Sequence, residues 1–338
     1  MNELIKYLII FVMIYGITYI LYKYAIPILY RLKFGQVIRE EGIEEHKKKS
    51  GTPTMGGIIF IIVSVFSFLI YITINNSLNN YIHIIICMLL FGIVGFVDDY
   101  LKIVYKNPKG LDSRIKFVSQ ICISLIFIYF NFISGHKLNE MKFMIPFTNN
   151  IIDMSVDMFL RISFVVIVVL YITAVNNGVN FSDGLDGLCA SITIIISIMF
   201  IILSKKMLTG QKEDNLIVLN ILVLSTISAF LAYNKYPAKV FMGDTGSLFI
   251  GSYVAFMALL LDIELYIFIF GIIYFIEVLS VIIQVTYFKK TGGKRFFKMA
   301  PIHHHFEKCG MKEKQIVVMF SFITLIACLI TYRALILK

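Results

Sequence analysis

Apolar residues fall in long runs separated by short polar stretches from one end of the chain to the other. Runs near 4–24, 55–74, 81–99, 117–134, 160–176, 188–204, 215–233, 248–261, 266–288 and 316–333 are close to the roughly 20 residues a helix needs to cross about 30 Å of hydrocarbon. The pattern predicts an all-α polytopic membrane protein with ten transmembrane helices. No sizeable soluble domain fits between the runs, so residues 1–338 read as a single integral membrane domain. The first run lacks a small-residue cleavage site and is followed by further spans, which predicts a retained helix and not a signal peptide. Segment 135–159 is the longest connection on its side; Pro146 and the Asn149-Asn150 pair predict a turn, in a small surface hairpin. No internal repeat is evident, which weakens a transporter reading.

Composition agrees with lipid as the solvent: 59% of residues are hydrophobic, only 15% are charged, and the mean hydropathy is +0.84. The net charge of +10 invites a nucleic-acid reading, but in a membrane protein its distribution matters more. Loops 31–50, 101–116, 234–247 and 289–315 hold 6, 5, 2 and 8 lysines and arginines, 21 of the 31 in the chain. These loops are expected in the cytoplasm, with loop 177–187 beside them by alternation and both termini outside. The five cysteines, Cys87, Cys122, Cys189, Cys309 and Cys328, are odd in number and scattered, which argues against a disulfide framework or a zinc site.

The polar clusters collect in those same five loops. Asp98 and Asp99 are adjacent carboxylates at the inner end of the third run, with Lys102 one turn beyond Asp98 and Lys116 opening the fourth run. Two carboxylates near lipid need compensation: either a divalent cation such as Mg²⁺ or an Asp98–Lys102 ion pair at a solvated helix end. Asn180, Asp183 and Asp186 recur every three residues between glycines in 177–187, so a helical turn would put them on one face. Composition alone reads as a tight turn, but that loop has no lysine or arginine to neutralise its carboxylates. Asn234 to Ser247 includes Phe241 and ends in Gly-Asp-Thr-Gly-Ser, where Asp244 either caps the following helix or holds a metal, and free N–H groups offer a phosphate site. His303, His304 and His305 lie in the basic loop within Pro301 to Glu307; neighbours on a helix diverge by about 100°, so one shared zinc ion is unexpected and phosphate or nucleotide is the better ligand. The stretch entering the second run carries Lys47, Lys48, Lys49, Thr54 and Gly57; its lysines alone could simply enforce sidedness. Glu277 is the one clear carboxylate inside a run and a functional candidate by default.

Gly51 to Gly57, Asp98 to Lys102, Asn177 to Leu188, Asn234 to Leu248 and Lys294 to Glu307 resemble, in order and spacing, the signatures of the phospho-N-acetylmuramoyl-pentapeptide transferase family. That family belongs to the polyprenyl-phosphate N-acetylhexosamine-1-phosphate transferase superfamily. The resemblance implies a ten-helix fold with both termini outside, in the bacterial cytoplasmic membrane. It implies Asp98, Asp99 and Asp244 as catalytic aspartates, with Asp244 binding Mg²⁺. It implies a substrate pocket shaped by Asn180, Asp183, Asp186, Asn234 and Phe241, with Thr54 beside it, and basic positions at Lys49, Lys102, Lys116 and His303 to His305. Gly178, Phe181 and Ser182 replace the usual Ala, Leu and Thr, and Met311 stands where Trp is common, so the pocket wall differs while the ionisable set is intact.

By the same resemblance, undecaprenyl phosphate attacks the sugar-linked phosphorus of UDP-N-acetylmuramoyl-pentapeptide, releasing UMP, with no nucleic acid involved and a homodimer left open. Positioning and charge stabilisation should dominate such a phosphoryl transfer. Asp98 is expected as base or second metal contact, ahead of a covalent aspartyl-phosphate route. Two competing readings are a superfamily enzyme that transfers N-acetylglucosamine phosphate, against which the Pro-x-His-His-His-Phe-Glu string speaks, and an ion-coupled transporter, which should spread ionisable residues over several depths.

Overall fold

The computed structural model describes residues 3–31, 51–107, 109–134, 140–148 and 150–336. In chain order the helices are α1 (Glu3–Arg31), α2 (Gly57–Ile74), α3 (Leu78–Val104), α4 (Ser113–Ile128, continued by a π turn at Tyr129–Ile133), α5 (Met158–Ser182), α6 (Leu188–Met207), α7 (Gly210–Asn234), α8 (Gly243–Leu260), the single turn α9 (Ile267–Phe270), α10 (Ile272–Lys290), the short α11 (Ile302–Lys308) and α12 (Glu313–Ile336). All but α9 and α11 are long and apolar enough to cross a membrane, ten in number among the described residues. The expected hairpin is present: β1 (Lys142–Met144) pairs antiparallel with β2 (Ile151–Asp153), Phe143 opposite Ile152.

Two stretches differ from the pattern. The run 266–288 is interrupted: Glu264–Tyr266 forms a 3-10 turn, α9 adds one turn, and α10 starts only after Gly271, a residue type that weakens a helix interior. Residues 177–182, expected in a loop, continue α5, so Asn180 stands on a helix and the turn proper is 183–187. No proline lies between Met158 and Ser182, and Val179 packs into the core, which carries the helix past its polar Asn176-Asn177 pair.

The central element is α8, buried along most of its length and packed against α2, α3, α5 and α6, whereas α1 lies on the outside against α7 and α2. Small residues make this possible, since close backbone approach substitutes for a hydrophobic driving force between helices in lipid. Gly95 of α3 faces the Asp244 carbonyl so closely that any Cβ would overlap it. Buried polar groups are satisfied across helices, as lipid demands: the Tyr253 hydroxyl donates to Asn220 Oδ1 (2.6 Å) and lies 3.0 Å from Ser197 Oγ.

Candidate active site

Two carboxylates and two ammonium groups meet where α3, α4 and α8 come together. Asp98 and Lys102 share a face of α3 by the i, i+4 spacing, and Lys102 Nζ lies 2.6 Å from Asp98 Oδ2. The same Nζ is 2.9 Å from Asp244 Oδ2, at the start of α8. Lys116, in the first turn of α4, completes the set at 2.9 Å from Asp244 Oδ2 and 3.5 Å from Asp98 Oδ2. Charges this poorly solvated persist only when each meets its opposite and its remaining lone pairs are used. They are: Leu111 N donates to Asp98 Oδ1 at 2.6 Å, and Asn180 Nδ2 donates to Asp244 Oδ1 at 2.8 Å and to Ser247 Oγ at 2.7 Å.

Asp99 does something different. Its Oδ1 accepts from Asp244 N at 3.1 Å, and its Oδ2 accepts from Thr245 N at 2.9 Å and from Thr245 Oγ1 at 2.7 Å. Asp99 therefore caps α8 from another helix, with its carboxyl at the positive end of the helix dipole. Asp244 does not cap its own helix, and its N–H and that of Thr245 are taken, so the phosphate site expected at this helix start lacks those two donors.

The turn after α5 is braced from three sides. Asp186 Oδ2 accepts from Ala238 N at 2.9 Å, Asp186 N donates to Glu313 Oε1, and Gly187 N donates to Asn234 Oδ1 at 3.0 Å. Asn234 Nδ2 in turn donates to Val240 O at 2.9 Å. Two residues expected at the substrate, Asp186 and Asn234, are thus buried and hold backbone. Glu313 joins them unanticipated, because it reads in sequence as an ordinary acidic residue in the first turn of a helix. Asp183 is half-buried at the C-cap of α5. Desolvation, with the carboxylates of Asp244, Asp99 and Asp186 adding, holds its carboxyl well above the ordinary range.

Pro53 to Gly57 pairs by backbone with Phe241 and Met242: Phe241 N donates to Pro53 O and Gly56 N to Phe241 O, both at 2.8 Å, which sets Thr54 beside Gly243. Phe241 is half-buried there. Lys49 lies outside the described residues. The three histidines have three different partners. His303 Nδ1 is 3.0 Å from Glu277, His304 Nδ1 is 2.7 Å from Glu307 Oε2, and His305 Nδ1 accepts from Lys298 N at 3.2 Å. His303 also lies on Gly184, which links this cluster to the 183–187 turn. The described parts of the five polar clusters therefore form one connected set at one end of the bundle.

Among the described residues no group of three or more His, Cys, Asp or Glu side chains is arranged to hold a metal ion. What the site offers a cation is the Asp98–Asp244 pair, whose Oδ2 atoms converge on the same ammonium groups. Ten apolar helices with lysines and carboxylates paired at one end define the class: a polytopic membrane protein with an ionisable site at one end of its bundle. The glycosyl transferase family 4 model matches residues 81–262, more than half of the chain. The first phospho-N-acetylmuramoyl-pentapeptide-transferase signature matches residues 49–61. Proteins named phospho-N-acetylmuramoyl-pentapeptide-transferase are similar over nearly the full length. That of Clostridium acetobutylicum is 45% identical over 92% of this chain and 93% of its own. That of Staphylococcus carnosus is 43% identical over 93% and 94%, and that of Listeria monocytogenes 41% identical over 95% of each. The chain belongs to the phospho-N-acetylmuramoyl-pentapeptide-transferase family.

Proposed function

We infer that this chain transfers phospho-N-acetylmuramoyl-pentapeptide from its UDP-linked donor to undecaprenyl phosphate, forming lipid I and UMP for peptidoglycan synthesis. Its place is the bacterial cytoplasmic membrane, with the five polar clusters on the cytoplasmic side where the nucleotide donor is made. The observation that carries the residue assignments is the convergence of Lys102 and Lys116 on Asp98 and Asp244.

Phosphoryl transfer spreads negative charge over oxygens in the transition state, so fixed cations supply most of the stabilisation. Lys102 and Lys116 are the cations, and their carboxylate partners hold them in place until the diphosphate arrives. The Asp98–Asp244 pair fits a hard cation that takes one or two carboxylates and leaves its other positions to water and phosphate. We assign Mg²⁺ there, with Asp244 as its ligand; when bound it neutralises charge on the diphosphate. Asp98 serves better as an anchor than as a general base: Oδ1 accepts from Leu111 N and Oδ2 from Lys102, which fixes the carboxylate against the lysine. A base also has little to remove, since a phosphate monoester with a second pKa of about 6 is mostly dianionic at neutral pH. Asp98 therefore orients the lysines. Asn180, Asp183 and the loops bearing Thr54 and Phe241 line the donor site, which Asp186 and Asn234 hold in shape. Lys49, His303, His304 and His305 are assigned to the donor on the resemblance of their segments.

Purified protein given donor labelled in the sugar, undecaprenyl phosphate and Mg²⁺ should move label into the organic phase and release UMP in equal amount. One diphosphate linkage is exchanged for another, so lipid I plus UMP should regenerate the donor. Equal use of UDP-N-acetylglucosamine would discard the donor assignment; label that never enters lipid would discard the transferase.

A further inference from the structure

Glu277 has no task in the chemistry above, yet it is costly to keep. It lies on α10 inside a membrane-spanning helix and is fully buried. An uncompensated carboxylate there costs several kcal/mol, so its partner matters. That partner is His303, 1% exposed, whose Nδ1 lies 3.0 Å from both carboxylate oxygens. A carboxylate on Nδ1 fixes which ring nitrogen carries the proton and how the ring is turned.

The other face of the ring is where the arrangement leads. His303 Nε2 is buried and makes no hydrogen bond among the described residues. It lies directly against Gly184, where a Cβ would overlap Nε2 and Cε1. Gly184 follows Asp183 and precedes the braced Asp186, so the imidazole is the floor beneath the turn. The absence of a side chain at 184 lets the turn lie flat on the ring. The turn is also tied by Glu313, Ala238 and Asn234, and the ring adds a support from α11 and α10.

We propose that Glu277 is a positioning residue which, through His303, sets the seat of the Asp183–Gly187 turn and thereby the affinity for the nucleotide donor. The proposal rests on the reading above that this turn lines the donor site. Its signature is a split between kinetic constants. Glu277→Gln keeps the shape of the side chain and removes the charge that fixes the ring. It should raise KM for the UDP donor by about tenfold and leave kcat and KM for undecaprenyl phosphate within about twofold. In a His303→Ala background, Glu277→Gln should add nothing further, because its effect runs through the ring. Effects that multiply in the double variant, or a fall in kcat with donor KM unchanged, overturn the proposal.

Thermal unfolding in detergent establishes that each variant is folded. If Glu277→Gln does not fold, Gly184→Ala tests the same seat. It should raise donor KM in the wild-type chain, where the new methyl meets a pinned ring, and raise it less in the His303→Ala chain. No relief by His303→Ala overturns the proposal on that route. Asp183→Asn separates the two levels of argument. Unchanged donor KM in that variant removes the turn from the donor site, whatever Glu277 does, whereas a raised KM with additive Glu277 and His303 effects removes only the role of Glu277.

Discussion

Asp99 and Asp244 are neighbours in space with opposite demands on them. Asp99 spends both oxygens on the N-terminus of α8, so its hydrogen bonds hold that helix start in the fold. Asp244 faces Lys102, Lys116 and Asn180, side chains that a substrate can compete for. Asp99→Asn turns one of those acceptor oxygens into an NH2 group and should therefore lower the melting temperature in detergent, by the equivalent of about 1 kcal/mol or more for the lost bond, as well as activity. Asp244→Asn should cost about a hundredfold or more in turnover with a smaller fall in melting temperature than Asp99→Asn, because Asp98 still pairs both lysines. Equal loss of stability in both would erase the distinction. The sequence makes the Asp98–Lys102 pair readable, since i, i+4 spacing is a local rule. It does not reveal that Asp99 caps a helix 145 residues away, because nothing local marks which carboxylate a distant helix start will recruit. The same holds for Glu277 with His303 and for Glu313 with Asp186, pairs made only by tertiary packing.

At the scale of elements, the ten apolar runs were legible because hydrocarbon thickness sets a length that few other structures need. Boundaries at the polar end were less so. Asn177 to Ser182 looks like a loop by composition, yet continues α5, since helix and turn compete closely in Asn- and Gly-rich sequence and packing decides. The run at 266–288 reads as continuous because hydropathy is blind to the break at Gly271. The position of α8 at the centre rests on clearance that apolar patterning also misses. Gly95→Ala, conservative by any hydropathy measure, should push α3 away from the Asp244 carbonyl. The expected cost is about 1–3 kcal/mol of stability, with a loss of turnover exceeding what the unfolded fraction accounts for, because α3 carries Asp98 and Lys102. Melting and activity measured on the same preparation check it; a variant that melts and turns over like the wild type would mean that the helices separate without consequence for the site.

For the whole molecule, one requirement organises the rest: a nucleotide-linked donor and a membrane-held acceptor must meet at one site, which we propose is formed by these carboxylates and lysines. The five clusters can converge only if their loops share one side of the membrane, and from the lysine and arginine distribution we propose that this side is the cytoplasm. Cys309 offers a direct test, being a free, exposed thiol just past α11, in the loop that carries the three histidines. Cys122, also exposed but within a spanning helix, is best replaced by serine first. Val156, 69% exposed beside the β1–β2 hairpin, marks the opposite end of the bundle. On intact cells a membrane-impermeant maleimide should leave Cys309 and an introduced Arg295→Cys unmodified and modify Val156→Cys. Opening the membrane should expose Cys309 to reagent within the same exposure time. If Cys309 or the residue-295 thiol reacts on intact cells as fast as in opened membranes, the polar end faces outward. A cytoplasmic nucleotide could then not reach Lys102 and Lys116, and the transfer reaction would have to be assigned to a different surface of the protein.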